Sequence, residues 1–380
     1  MIIKITKIFL VNFLILIIFI YLIEIGINIH SASFLKKTRY QHLKDLSQKY
    51  EENFFYNFFS YKLLDEKDLQ ILPLSGYHNS WTLLCLDGNK PIYYKSDENG
   101  FNNQSGNDSN ILLLGDSYIQ GMCVDNEKNI KSLFINKKNL KTSAIGIGGH
   151  GPLFSLAILK EYGEYYQHKK LIYFITPDND FYDLKNEIKN PILLNYLNDK
   201  FFTQNLIEKK DDIKKIIDNY FEKTLRPSRE FLRSYHLDFH KVRAYIKNNI
   251  LKKTKENNNI VLYTEISQFF LDIINEMNEY SFKKNREFKI VFNLISPDIL
   301  FSTKEKDKKL KKNLLNSVEV IKKYLQQNNI NYYDFNEYVL QNYNELNINE
   351  IAHFNEDRWD HYSELGNEII TDQVYQNLIK

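Results

Sequence analysis

The chain has 380 residues, 43% hydrophobic and 14% aromatic, enough to bury a sizeable core in one large domain or in a domain with an insertion. Its 50 basic and 48 acidic side chains leave a formal net charge of +2, and no basic stripe is visible, so nothing in the charge calls for nucleic acid as a partner. Cys85 and Cys123 are the only cysteines, and their spacing names no pairing, so they read as two buried free thiols.

In chain order, Lys4 and Lys7 precede an almost unbroken apolar run from Ile8 to Ile23, which Glu24 interrupts and Ile25 to Asn28 extends. Its length is close to the roughly 17–25 residues of a membrane helix, and lysines before the run favour a cytoplasmic N-terminus. A cleaved signal peptide is the competing reading. The run is long for one, and His30 stands where the cleavage site needs a small residue. No amphipathic face marks a core helix. Residues 1–30 are therefore expected to be an uncleaved membrane anchor, with the remainder outside the cytoplasm, on the periplasmic side of an inner membrane.

Residues 31–94 read as a stalk and a small β-rich segment. Ser31 to about Leu64 is charged and aromatic, with a helical pattern; from "LPLSGYHNSWTLLCL" to "KPIYYKSDENGFNNQ", short β-like runs alternate with Gly and Asn turns. From 95 to 380 strand and helix patterns alternate. "NILLLGDS", "KTSAIGIGG", "KKLIYFITPDND", "FKIVFNLISP" and "NINYYDF" read as strands, separated by helical stretches such as "PLFSLAILKEYGEYYQ" and "KKLKKNLLNSVEVIKKYLQQ". Apolar runs without alternation suit a parallel sheet covered on both faces. A charged helical insertion over about 185–260 breaks this rhythm. The fold class is α/β, a three-layer sandwich with a mostly parallel central sheet.

Ligands in such a sheet bind beyond the carboxyl ends of the strands. Gly115-Asp116-Ser117 follows the first of these strands, Gly146 to Gly151 the second, Asp178-Asn179-Asp180 the third, and Asp357 to His361 precedes the last helix. The residue types complement one another. Ser117 needs a base to become a nucleophile, and His361 can serve as that base. A carboxylate would orient the imidazole. The amides of Ser117 and a second-loop glycine, with the Asn179 side chain, could hold an oxyanion.

These blocks resemble the SGNH, or GDSL-like, hydrolase superfamily of the membrane-anchored bacterial type. The resemblance implies a flavodoxin-like fold, Ser117 as nucleophile, Gly149 and Asn179 in the oxyanion hole with the Ser117 amide, and His361 as base. The third block reads Pro177-Asp178-Asn179-Asp180, without the family's leading Gly, and the second has Ala144 where the family has Asn. In the last block Arg358 occupies the usual aspartate position, so the carboxylate is Asp357, whose spacing can close across a turn, or Asp360; a dyad without a carboxylate is the third option. Trp359 and His150 are candidates for the substrate pocket. The resemblance covers roughly 95–184 and 286–378, and "DENGFNN" is similar to a segment that often precedes the G-D-S strand in such members. It implies a serine esterase or O-acyltransferase acting on acyl, above all acetyl, groups of envelope glycans or small esters, with no cofactor and no metal. The alternative is a catalytically dead domain that binds glycans or supports assembly. His236 and His240 have the spacing of a metal pair, but no third ligand adjoins them, so they read as a solvated helix face.

Overall fold

The computed structural model describes residues 2–30, 39–66, 69–87, 90–103, 108–224, 263–342, 345–353 and 361–380. Contacts divide the chain into two compact units. The first comprises Met1–Tyr50 and Asp218–Val261, the second Glu51–Ile217 and Leu262–Lys380.

In the first unit, helices α1 (Ile2–His30) and α2 (Arg39–Tyr50) are described. Phe9, Leu10, Val11, Phe13 to Phe19, Leu22 and Ile23 of α1 carry exposed apolar side chains. The expected membrane span is nonetheless corrected: among the described residues no helix is long and apolar enough to cross a membrane. The described side chains of α1 run only from Phe9 to Ile25, and Glu24 sits near the end of that run.

The second unit opens on a three-stranded sheet of β1 (Phe54–Tyr56), β2 (Trp81–Asp87) and β3 (Lys90–Lys95), β1 parallel and β3 antiparallel to β2. The chain past Tyr50 is therefore no helical stalk; residues 51–94 belong to the same unit as the α/β layers. There follow β4 (Ile111–Gly115), α3 (Ser117–Gln120), α4 (Ile130–Lys138), β5 (Thr142–Gly146), α5 (Pro152–Tyr162), β6 (Lys170–Ile175), α6 (Pro177–Glu187), α7 (Pro191–Asn198) and α8 (Lys210–Thr224). After the undescribed segment come α9 (Tyr263–Lys283), β7 (Glu287–Phe292), α10 (Pro297–Leu300), α11 (Glu305–Gln327), β8 (Asn331–Asp334), α12 (Phe335–Gln341), α13 (Ile348–Ile351), β9 (Ala352–His353), β10 (His361–Tyr362) and α14 (Glu364–Val374). Helical structure from the expected insertion is described as far as α8; His236 and His240 lie outside the described residues.

The five central strands are all parallel, in the order β5-β4-β6-β7-β8. Counted from β4 this is the 2-1-3-4-5 order of flavodoxin-like sheets. Helices α4 and α14 pack together, while α5, α9 and α11 form a second group, which covers the two faces. Every residue of β4 and β5 is buried, as the unalternating sequence required.

The "DENGFNN" stretch closes the edge of this sheet. Asp97 Oδ1 accepts from the amides of Asn99 (2.9 Å) and Phe101 (3.0 Å), and Gly100 takes a φ of +88° where a Cβ would meet Gly76 O. This turn presents Asn103 to edge strand β5: its Oδ1 accepts from Ala144 N (2.9 Å) and its Nδ2 donates to Ala144 O (3.0 Å). One side-chain amide thus stands in for a neighbouring strand. The cysteines also depart from expectation. Cys85 and Cys123 form a disulfide, with Cα atoms 5.5 Å apart, joining β2 to the loop after α3. Residues 38 apart in sequence met because β2 packs beside that loop, which spacing alone did not reveal.

Candidate active site

The order reversal between β5-β4 and β4-β6 opens a crevice at the carboxyl ends of β4 and β6, where the loops diverge. Asp116 and Ser117 leave the end of β4. Asp116 caps α3, its Oδ1 accepting from Tyr118 N at 3.0 Å. This cap makes Ser117 the first residue of the helix, whose amide has no partner within it.

His361 reaches Ser117 from the other end of the chain. Its Nε2 lies 2.8 Å from Ser117 Oγ, and both side chains are buried. Several contacts hold it there. Residue 361 pairs with residue 353 across the β9–β10 ladder. The Tyr118 ring packs on the imidazole at 5.1 Å and on Tyr362 at 4.7 Å. The Tyr362 hydroxyl accepts from Leu294 N at 2.8 Å, tying β10 to the segment after β7. Just beyond, Ser363 caps α14 through Gly366 N (3.0 Å), and Gly366 is required because a Cβ there would run into Ile351 O.

Asn179 is brought in through Asp116. Asn179 Nδ2 donates to Asp116 Oδ2 at 3.1 Å. An amide nitrogen carries two hydrogens, so one remains to point elsewhere. Burial pushes the Asp116 carboxyl above its ordinary range, while bonds from the Tyr118 amide, Asn179 and Thr176 act in the opposite sense. The sequence placed Asp116 within a motif but gave it no task; the structure makes it the link between the start of α3, which carries Ser117, and the Asn179 amide. Burial, followed by the nearby Asp116, likewise drives the Asp180 carboxyl well above its usual range.

Gly149 sits in a tight turn after β5. His150 N donates to Ile147 O at 3.3 Å across Gly148 and Gly149, and Gly149 has a φ of +73°. A turn with positive φ at its third residue selects glycine. Space selects it as well, since a Cβ would lie 2.5 Å from Tyr61 Cδ1 and Cε1. The turn's own hydrogen bond uses the amide of residue 150, leaving the Gly149 amide out of it.

His150 does not border a pocket. It is 1% exposed, stacks on Phe154 at 4.1 Å, and burial lowers its pKa to about 3, so the ring is neutral. Asp357, Trp359 and Asp360 lie outside the described residues. Among the described residues no cluster of His, Cys, Asp or Glu could hold a metal ion. A surface cavity of about 370 Å³, with Lys90, Ile92, Val124, Ser363 and Glu364 in its walls, does not include Ser117 or His361 in its lining.

No family model and no curated protein matches the chain. Solved structures do. A lipolytic protein of the G-D-S-L family from Desulfitobacterium hafniense DCB-2 is 11% identical, covering 71% of this chain and 99% of that one, with a TM-score of 0.38. The acetyl xylan esterase AlAXEase is 14% identical over 71% of this chain and 100% of that one, with a TM-score of 0.36. The esterase EstA from Pseudoalteromonas sp. is 12% identical over 72% of this chain and 96% of that one, with a TM-score of 0.35. At these identities and scores the likeness carries no chemical argument, which rests on the strand order and on the contact between Ser117 and His361.

Proposed function

We propose that the chain is a serine ester hydrolase of acyl esters, working through Ser117 and His361. The observation that carries this reading is the 2.8 Å hydrogen bond between Ser117 Oγ and His361 Nε2, made across a sequence separation of 244 at the crevice of a parallel sheet. With Nε2 as acceptor, the hydroxyl proton passes to the imidazole as Oγ attacks the acyl carbonyl carbon. The oxyanion is held by the Ser117 and Gly149 amides and the second Asn179 hydrogen. Collapse breaks the ester C–O bond, and the leaving alcohol takes its proton from the imidazolium. Water, activated by the same imidazole, then releases the acid; a sugar hydroxyl in its place would make the chain a transferase. Asp357 or Asp360 is the proposed orienting carboxylate.

Acetylated glycans or small esters are the proposed substrates, and the compartment belongs to the same proposal. The Cys85–Cys123 disulfide supports a site outside the cytoplasm, because such bonds persist where the surroundings are oxidising. Ser117→Ala is expected to abolish p-nitrophenyl acetate hydrolysis and labelling by a fluorophosphonate, with the melting temperature within a few degrees of the parent. Full activity in that variant would refute the assignment. A parent protein that is folded yet neither turns over the ester nor takes the label would instead support the non-catalytic module.

A further inference from the structure

The buried Gln120 side chain belongs to no step described above, yet it bridges three segments. Gln120 Oε1 accepts from Gly148 N at 2.8 Å, in the turn that carries Gly149. Its Nε2 donates to Asn57 Oδ1 at 2.9 Å and to Tyr94 Oη at 3.3 Å, while Asn57 Nδ2 donates back to Gln120 Oε1 at 3.3 Å. The Gln120 carbonyl accepts from Asn102 Nδ2 at 2.9 Å. Gln120, Asn57, Tyr94 and Asn102 are all nearly inaccessible to solvent. Gln120 lies three residues after Ser117, on the same short helix. It therefore connects the helix that carries the nucleophile to the glycine turn after β5, and braces both against the β1–β3 sheet.

A network of this kind resists distortion because each buried group would lose a partner if the turn rotated. The peptide before Gly148 is held by Gln120, and the next peptide carries the Gly149 amide. Fixing the first limits how far the second can swing.

From this geometry we infer that Gln120 is a positioning residue, which aims the Gly149 amide at the oxyanion through Gly148 while Asn57 and Tyr94 hold its own side chain in register. The inference rests on the reading of Ser117 and Gly149 given above. It assigns the small β-sheet, which contributes no reacting group, a part in setting the rate.

The test compares the parent with Gln120→Met, which keeps the bulk and removes both polar ends, and Gln120→Glu, which keeps an acceptor for Gly148. With p-nitrophenyl acetate, Gln120→Met is expected to lower kcat by about 100-fold, the scale of a misplacement of about 1 Å, with KM within threefold. Gln120→Glu is expected to recover at least a tenth of the parent kcat. An unchanged kcat in a folded Gln120→Met overturns the inference, as does a Gln120→Glu no better than Gln120→Met; a role in stability alone would lower the melting temperature and leave kcat in place. If Gln120→Met fails to fold, Asn57→Ala decides: a tenfold fall in kcat at constant KM supports the inference, and an unchanged kcat overturns it. Parent activity toward the ester, lost in Ser117→Ala, is the control that separates these outcomes from failure of the underlying assignment.

Discussion

Gly149 faces two independent demands, and Gly149→Ala measures both. The backbone φ of +73° is one that an L side chain adopts only at a cost of roughly 1–2 kcal/mol. The added Cβ would lie 2.5 Å from two ring carbons of Tyr61, an overlap that must displace the ring or the turn. The ring does not stand alone, since Phe59 packs at 6.0 Å and the Lys62 ammonium lies over it at 4.5 Å. Overpacking of this kind costs about 1–3 kcal/mol. The expected destabilisation is therefore about 2–5 kcal/mol, read from urea unfolding by linear extrapolation. Truncating the ring divides the total. In a Tyr61→Ala background the steric part disappears and about 1–2 kcal/mol of backbone strain remains, so the two substitutions should couple by about 1–3 kcal/mol. Strict additivity would mean that the ring swings aside freely, and a single-variant cost below about 0.5 kcal/mol would refute the reasoning for both terms.

Two further outcomes concern stability. Burial holds the His150 pKa at about 3 against an ordinary 6.5. Between those values the unfolded chain takes up a proton that the folded chain refuses, so stability falls as pH drops through 6.5, by roughly 1.4 kcal/mol per pH unit from this group. His150→Phe, which keeps a ring to stack on Phe154, should flatten that decline in urea titrations at pH 7.5 and 5; an unchanged slope would show that the imidazole is protonated in the fold. The second outcome concerns the disulfide. It closes a loop of 38 residues' separation, for which chain entropy suggests about 4 kcal/mol. Replacing Cys85 and Cys123 together by Ser should lower the unfolding free energy by about 2–4 kcal/mol, and a loss below about 1 kcal/mol would contradict the crosslink.

The sheet was legible because each central strand is buried on both faces and must be apolar without alternation; "ILLLG" and "LIYFI" could hardly be read otherwise. The crevice followed from the topology, and Ser117 and His361 from the chemistry that a serine requires. What stayed hidden depends on partners distant in sequence. Gln120 is an ordinary polar residue until Asn57, 63 positions away, is seen beside it. Tyr61 reads as part of an aromatic stalk until its ring is found on Gly149. The disulfide was missed for the same reason, since only the docking of β2 against the loop after α3 brings the thiols together. His150 shows the reverse case: its place next to Gly149, the expected oxyanion-hole glycine, suggested a pocket, yet its ring is buried against Phe154.

The sequence separation of 244 between Ser117 and His361 also affects synthesis. Until residue 361 has been made, Ser117 stands without the imidazole that its hydroxyl meets in the folded chain. Under the proposed assignment, no acyl ester can be attacked until residue 361 has been made and folded into place beside Ser117, and any truncation that removes His361 yields a silent protein rather than an unregulated hydrolase.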